Sequence, residues 1–127
     1  MMYLELLQEQ LALTYPESEL KLSDNKLELF DVPYKGIRIE KAVELYVNFE
    51  NYDTIAFEAL ATYFKPRLKF KDARFYYQEF NKTISIYTDK KFTKDKIGDF
   101  EMAMWYAKLI DHIVKEIKEK IEKVILD

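Results

Sequence analysis

The chain has 127 residues, of which 49% are hydrophobic and 34% are charged, and its formal net charge is −3. This size and balance indicate one globular domain with a core of its own, and they exclude a disordered chain. The absence of cysteine excludes disulfide bonds, thiol catalysis and zinc sites with sulfur ligands.

The beginning of the chain lacks the features of a membrane or export segment. No stretch reaches the roughly 18–20 apolar residues that span a bilayer. Glu5 and Glu9 also interrupt the opening residues, where a signal peptide would need a basic start and an unbroken apolar run. We therefore expect a cytoplasmic protein that does not bind a membrane.

Residues 2–14 are predicted to form a helix. Leucine recurs there at helical spacing, and Tyr15-Pro16 ends the run. A β-hairpin is predicted next, because leucines alternate with polar residues on both sides of a turn at Asp24-Asn25.

The stretch from 36 to 50 alternates apolar and polar residues with a period of two, which predicts one long strand or two short ones broken near Glu40-Lys41. A helix over 40–50 also fits the pattern, but the β-branched residues favour a strand. The apolar positions are Ile37, Ile39, Val43, Leu45, Val47 and Phe49.

A middle helix is predicted over 54–64, because alanines fill it, Asp53 or Thr54 can cap it, and Lys65-Pro66 ends it. Three strand-like runs follow, and a long helix from about 94 to 125 closes the chain. Because Gly98 weakens its first turn, that helix is expected to begin firmly near Asp99. The three strand-like runs are 67–71, 74–80 and 83–87.

These elements predict one α+β domain over residues 1–127. An antiparallel sheet of about five to six strands would be packed by an N-terminal helix, a middle helix and a long C-terminal helix. The end of the last helix, over 114–127, could project from the body, because some 30 residues of helix make about 45 Å.

The hairpin over 74–87 carries aromatic residues on both of its faces. With a turn at Asn81-Lys82, Tyr76 would pair with Tyr87 and Phe80 with Thr83. One face then carries Phe75, Tyr77, Ile84 and Ile86, which predicts core. The other face carries Arg74, Tyr76, Gln78, Phe80 and Tyr87, and either a helix covers it or it recognises a partner.

Charge is distributed unevenly along the chain. Residues 1–53 hold eleven acidic and five basic side chains, whereas residues 65–96 hold four acidic and ten basic ones. Such an asymmetry can steer charged partners. Alternate basic residues in the run before the hairpin would either protect an exposed sheet edge or contact single-stranded nucleic acid. These residues are Lys65, Arg67, Lys69 and Lys71.

The last helix carries a heptad seam, which predicts a helical partner. The first helix could cover this seam, or a second copy of the chain could do so in a homodimer. The residues expected at such a self-association surface are Ile110, Val114, Ile117, Ile121 and Val124.

Catalytic machinery is not evident in the sequence. His112 and Glu116 have the spacing of two metal ligands, but no third ligand accompanies them, so we expect no metal and no cofactor. A small hydrolase that uses two carboxylates is an alternative which sequence alone cannot locate.

The leading hypothesis is a non-enzymatic protein-interaction module that acts as an inhibitor or adaptor by binding a protein partner. Its interaction residues would be Arg74, Tyr76, Phe80 and Tyr87. The composition, rich in Lys, Ile, Tyr and Phe, resembles that of small accessory proteins of AT-rich bacteria and their phages. A protein that binds single-stranded nucleic acid is the first alternative, with the basic run and neighbouring tyrosines as its contacts.

Overall fold

The computed structural model describes residues 2–49, 52–56, 69–70, 73–88 and 98–123. It contains the helices α1 (Met2–Thr14) and α2 (Asp99–Ile121). The strands are β1 (Glu19–Ser23), β2 (Lys26–Tyr34), β3 (Ile37–Phe49), β4 (Tyr52–Ala56), β5 (Ala73–Gln78) and β6 (Thr83–Thr88).

The six strands form one antiparallel sheet in the order β1-β2-β3-β4-β6-β5. Strands β1 to β4 follow one another as a meander, and the β5–β6 hairpin then joins through β6, which leaves β5 at the second edge. The α+β class, the antiparallel sheet and the first and last helices are therefore confirmed.

The middle helix is not seen in the described part of the chain. Its predicted first residues, 54–56, belong to β4 instead, while 57–64 lie outside the described residues. The error has a physical cause, because Asp53 and Thr54 are good helix caps by residue type but here belong to a strand, in which Asp53 and Ile55 share one face and Thr54 lies on the other.

Strand β3 is continuous, as the period of two predicts, but it contains a bulge. Leu29 pairs with Val43 and Phe30 pairs with Lys41, so Ala42 is an extra residue between them. Asp31, opposite this region in β2, has a left-handed φ of 57°. The bulge places Lys41 beside the glutamates of one face, which explains why the odd-position pattern is interrupted there.

The β2–β3 turn depends on two residues with positive φ. Lys35 has a φ of 48° and Gly36 a φ of 83°. This combination is that of a type I′ turn, whose twist matches that of the flanking strands, and glycine adopts it without strain.

The β5–β6 hairpin differs from the prediction in register but not in its faces. Tyr76 pairs with Ser85 and Tyr77 pairs with Ile84, so the turn occupies residues 79–82. The predicted register was therefore wrong by two residues. Because side chains alternate with a period of two, this shift leaves the residues of both strands on their predicted faces, while Phe80 moves into the turn.

The core lies between the sheet and both helices. One row of paired side chains crosses four strands through Leu27, Leu45, Ile55 and Ile84, and all four are buried. Helix α2 has 23 residues and begins at Asp99 after the extended N-cap residue Gly98, as expected. Neither it nor any other helix within the described ranges is long and apolar enough to cross a membrane.

Candidate interaction surface

The residues expected to bind a partner are Arg74, Tyr76, Phe80 and Tyr87, and they are called the hairpin surface below. Arg74 and Tyr87 are directly opposed in the β5–β6 pair, and Tyr76 lies two residues along from Arg74. These three side chains therefore share one face of the hairpin, the face opposite Ile84 and Ile86. Phe80 lies in the turn at the tip.

The hairpin surface exposes two large aromatic side chains. Phe80 is 98% exposed and Tyr76 is 53% exposed. By contrast, Ile84 and Ile86 on the opposite face are buried. Aromatic side chains normally provide much of the apolar area that a core buries. Two exposed aromatic side chains on one hairpin therefore leave a large apolar area in contact with water, and burying it would be favourable.

Tyr76 and Tyr87 support each other on this face. Their ring centroids are 5.2 Å apart with an interplanar angle of 84°, an edge-to-face contact. Such a pair contributes about 0.5–1.5 kcal/mol beyond the area it buries. Tyr87 is half-buried, so its ring packs against Tyr76 and is less exposed than the Tyr76 ring.

The basic run that was expected to contact nucleic acid can be placed only in part. Lys69 is exposed and lies outside the strands, while Lys65, Arg67 and Lys71 lie outside the described residues. Phe70, next to Lys69, forms an isolated antiparallel bridge with Ala73, and its ring contacts Trp105 edge-on at 5.4 Å. Of the predicted strand over 67–71 only Lys69 and Phe70 are described, and Phe70 is a bridge residue.

The heptad seam is not available to a second copy along its described length. The prediction placed it at a possible dimer interface, but Ile110, Val114, Ile117 and Ile121 are buried within one chain. Helix α1 packs against α2, and its own leucine stripe is also buried. The tyrosine that ends α1 adds a polar tie, because Tyr15 donates to Asp111 Oδ1 at 2.8 Å.

This packing corrects the expectation of a self-association surface on α2 and of an end that projects from Val114 onward. A second copy could reach these side chains only by displacing α1. Val124, the last residue of the predicted surface, lies outside the described residues.

A buried carboxylate that sequence reasoning missed ties both helices to the sheet. Asp53 on β4 is 8% exposed and accepts hydrogen bonds on Oδ2 from the phenol groups of Tyr3 and Tyr106. The Tyr3 oxygen is 3.3 Å away, and the two rings stack with centroids 5.8 Å apart. Burial, the nearby carboxylate charge and the hydrogen bond to Asp53 raise the pKa of both phenols.

The only signal of this cluster in the sequence was the position of Asp53 two residues before the apolar Ile55. It becomes informative once residues 52–56 are known to form a strand, because Asp53 and Ile55 must then face the same layer. Burying a carboxylate without hydrogen-bond partners costs free energy, so a buried Asp53 is expected to have donors such as these two phenols.

The opposite face of the sheet carries a network of ion pairs. Lys41 Nζ lies 2.6 Å from Glu44 and 3.3 Å from Glu28, and Lys26 approaches the same two carboxylates at 3.7 and 3.5 Å. Burial raises the pKa of Glu44, but hydrogen bonds from Lys41 and Tyr46 and the Lys41 charge outweigh it and lower that pKa below its ordinary value.

The histidine and glutamate with metal-ligand spacing, His112 and Glu116, lie on α2 without a third ligand among the described residues. His112 is half-buried, with its ring centroid 6.0 Å from that of Phe70. Within the described ranges, no group of three histidine or carboxylate side chains could hold a metal ion.

Comparison with protein-family models, with curated proteins and with solved structures finds no match to this chain.

Proposed function

We propose that this chain is a non-enzymatic protein-interaction module that binds a protein partner through the hairpin surface. The observation that carries this proposal is the exposure of Phe80 and Tyr76 on one hairpin, in a domain whose described residues form a buried apolar core elsewhere. An inhibitor or an adaptor would both use such a surface.

The residue types of the hairpin surface suit protein binding. Tyrosine and arginine are enriched among the residues that dominate interface energies, and an aromatic ring has few rotatable bonds to immobilise. Arg74 and Tyr76 are both exposed on the edge strand β5, and Phe80 extends the same surface to the tip. Burying Phe80 in a partner pocket would contribute about 1.5–3 kcal/mol.

A photo-crosslinking amino acid at position 80 tests the proposal, with the same substitution at Phe100 as the matched control. Phe100 is another exposed phenylalanine, 63% exposed at the start of α2, and it lies outside the hairpin surface. Position 80 should crosslink a specific protein from the source cells, and position 100 should not.

The captured protein is then purified, and its Kd is measured for three forms of the chain. Phe80→Ser should weaken binding by about 30-fold or more, the effect of a hot-spot residue worth 2 kcal/mol. Phe100→Ser should leave the Kd unchanged. Equal effects of the two substitutions, or no effect of Phe80→Ser, would overturn the proposal.

Single-stranded nucleic acid is the second candidate ligand, because Lys69 and Arg74 are exposed in the same region as Tyr76. Fluorescence anisotropy with an oligothymidylate separates the two ligands. Nucleic-acid binding would be steeply salt-dependent and would weaken in Tyr76→Ser, since stacking is worth about 1–3 kcal/mol per base. No binding at low salt removes this candidate.

The third candidate, a hydrolase with two carboxylates, needs a general acid whose pKa is raised. Glu44 has a lowered pKa, which is the wrong direction for this role. Asp53 is enclosed by two phenols in the core rather than placed in a cleft. We therefore do not propose it.

A further inference from the structure

A groove lies where α1 ends and β1 begins. Its volume is about 360 Å³, at the lower end of the range for ligand cavities. Carbon atoms of Ala12, Pro16 and Leu20 contribute to its lining, and the Tyr15 ring is fixed there by the hydrogen bond to Asp111. The groove is therefore preformed and partly apolar. Its remaining lining residues are Gln8, Glu9 and Ser18.

The surroundings of this groove are acidic. Residues 2–20 contain four glutamates and neither lysine nor arginine, and all four glutamates are exposed. Lys21 is the nearest basic residue along the chain, at 3.9 Å from Glu19. Leu13, which follows the groove residue Ala12, is 78% exposed. An occupant that combines an apolar side chain with positive charge would be complementary to this surface.

The β5–β6 hairpin has that combination. Phe80 supplies the exposed apolar side chain, and the hairpin residues 73–88 hold two basic side chains, Arg74 and Lys82, and one acidic side chain, Glu79. The groove adjoins β1, and the hairpin contains β5, so the two features lie at opposite edges of the sheet. Five strand spacings of about 4.8 Å separate these edges by roughly 24 Å. One chain cannot bring them together.

We propose that a second copy of the chain occupies the groove, with Phe80 of one molecule entering the α1–β1 groove of the next. This inference rests on the proposed function, because it names one partner of the hairpin surface. The two contacting surfaces are different, so the association is head-to-tail and generates open chains or closed rings rather than a two-fold dimer. The contact is small, which makes it weak and sensitive to concentration and salt.

Solution mass measured by light scattering tests the inference, from micromolar to millimolar chain and at low and high salt. Phe80→Ser removes the inserted side chain, and Ala12→Arg fills the groove with a basic side chain. Both positions are exposed, so both variants should fold. The wild-type mass should rise above 15.3 kDa with concentration at low salt, and each variant alone should stay at that mass.

The decisive sample is an equimolar mixture of the two variants. Phe80→Ser keeps an intact groove and Ala12→Arg keeps an intact Phe80, so the mixture should form dimers and nothing larger. A wild type that stays monomeric at every concentration would overturn the inference, as would variants that associate like the wild type or a mixture that stays monomeric.

The outcome is distinguishable from failure of the proposed function. If the wild type is monomeric but a different protein crosslinks to position 80, the hairpin surface stands and the second copy is excluded as its partner. If association persists in Phe80→Ser, both the head-to-tail contact and the role of Phe80 in self-association are wrong, while the crosslinking result still decides the proposed function independently.

Discussion

The α1–α2 helix pair and the β5–β6 hairpin both carry rows of large apolar side chains, but one chain covers them to different extents. Along α2 the seam residues from Ile110 to Ile121 are buried against α1 and the sheet. On the hairpin, Ile84 and Ile86 are buried, whereas Tyr76 and Phe80 remain exposed. Sequence periodicity therefore indicates which apolar side chains are stabilised by burial. Only the assembled fold shows which of them remain exposed to water.

The largest expected effect is that of deleting the second half of the seam. A chain cut after Ile113 loses the buried residues Val114, Ile117 and Ile121. Their burial is worth about 5–9 kcal/mol, which is comparable to the whole stability of a domain. We expect the truncated chain to be unfolded by near-ultraviolet circular dichroism. A folded monomer after truncation would show that this half of α2 is not core.

Removing one donor from the buried carboxylate should come next in size. Tyr106→Phe leaves Asp53 Oδ2 without one of its two phenol donors, at a cost of about 1–3 kcal/mol in the free energy of unfolding. Urea unfolding measures this loss. Tyr77→Phe is the matched control, because Tyr77 is only half-buried on the same sheet. Equal losses of unfolding free energy in Tyr106→Phe and Tyr77→Phe would show that Asp53 does not join the helices to β4.

Alkaline pH should weaken the helix pair through the same phenols. The pKa values of Tyr3, Tyr15 and Tyr106 are raised in the folded chain, chiefly by burial. The unfolded chain therefore loses these protons first as pH rises above about 10, so stability present below that pH declines above it. Each tyrosine contributes up to about 1.4 kcal/mol per pH unit.

Unfolding free energies measured from pH 8 to 11 would show this decline, and Tyr15→Phe should make it shallower. Tyr46 should add to the decline from the same pH of about 10, and its contribution should level off above about pH 12, because burial and its hydrogen bond to Glu44 raise the pKa of Tyr46 to about 12. A flat stability profile above pH 10 would contradict the burial of these phenols.

A smaller effect is expected at the ion-pair network on the other face of the sheet. Lys41→Met leaves Glu28 and Glu44 near each other with only Lys26 between them, and should cost about 1 kcal/mol at low salt. The folded chain lowers the pKa of Glu44, so this stabilisation is present above the ordinary pKa of glutamate and is lost as pH falls. The difference in the free energy of unfolding between the wild type and Lys41→Met should become smaller in high salt and at acid pH.

The smallest effect on stability should be that of Phe80→Ser. The side chain is almost fully exposed, so the free energy of unfolding should change by no more than about 0.5 kcal/mol. Phe100→Ser is the control and should behave alike. A loss above 1 kcal/mol for Phe80→Ser alone would mean that Phe80 packs within its own chain, and the contrast between hairpin and helix pair would disappear.

Much of the fold followed from local patterns. The leucine stripe over 2–14, the leucine alternation around Asp24-Asn25 and the period of two over 37–49 each fixed an element. The candidate site followed in part, because the two faces of the hairpin were correct even though its register was wrong by two residues. Face depends only on whether a residue number is odd or even, whereas register depends on the turn, and residues 79–82 gave no strong turn signal.

The remaining errors have one physical source, which is the competition between local preference and tertiary contacts. Residues 54–56 have the composition of a helix start but form β4, where pairing with both β3 and β6 outweighs a modest helix propensity. The groove at the end of α1 could not be predicted from the sequence, since its lining, from Gln8 to Leu20, comes from α1, from β1 and from the connection between them.

By itself, the sequence determined the class of fold, the helices at its two ends and the side chains that need burial, because periodicity and residue type act locally. Only the tertiary structure decided that α1 rather than a second copy covers the α2 seam, and that Asp53 anchors both helices to the sheet. It also decided that Phe80 stays exposed. Whether a side chain is buried depends on all the neighbours that pack around it, whereas a local sequence pattern shows only that its burial would be favourable.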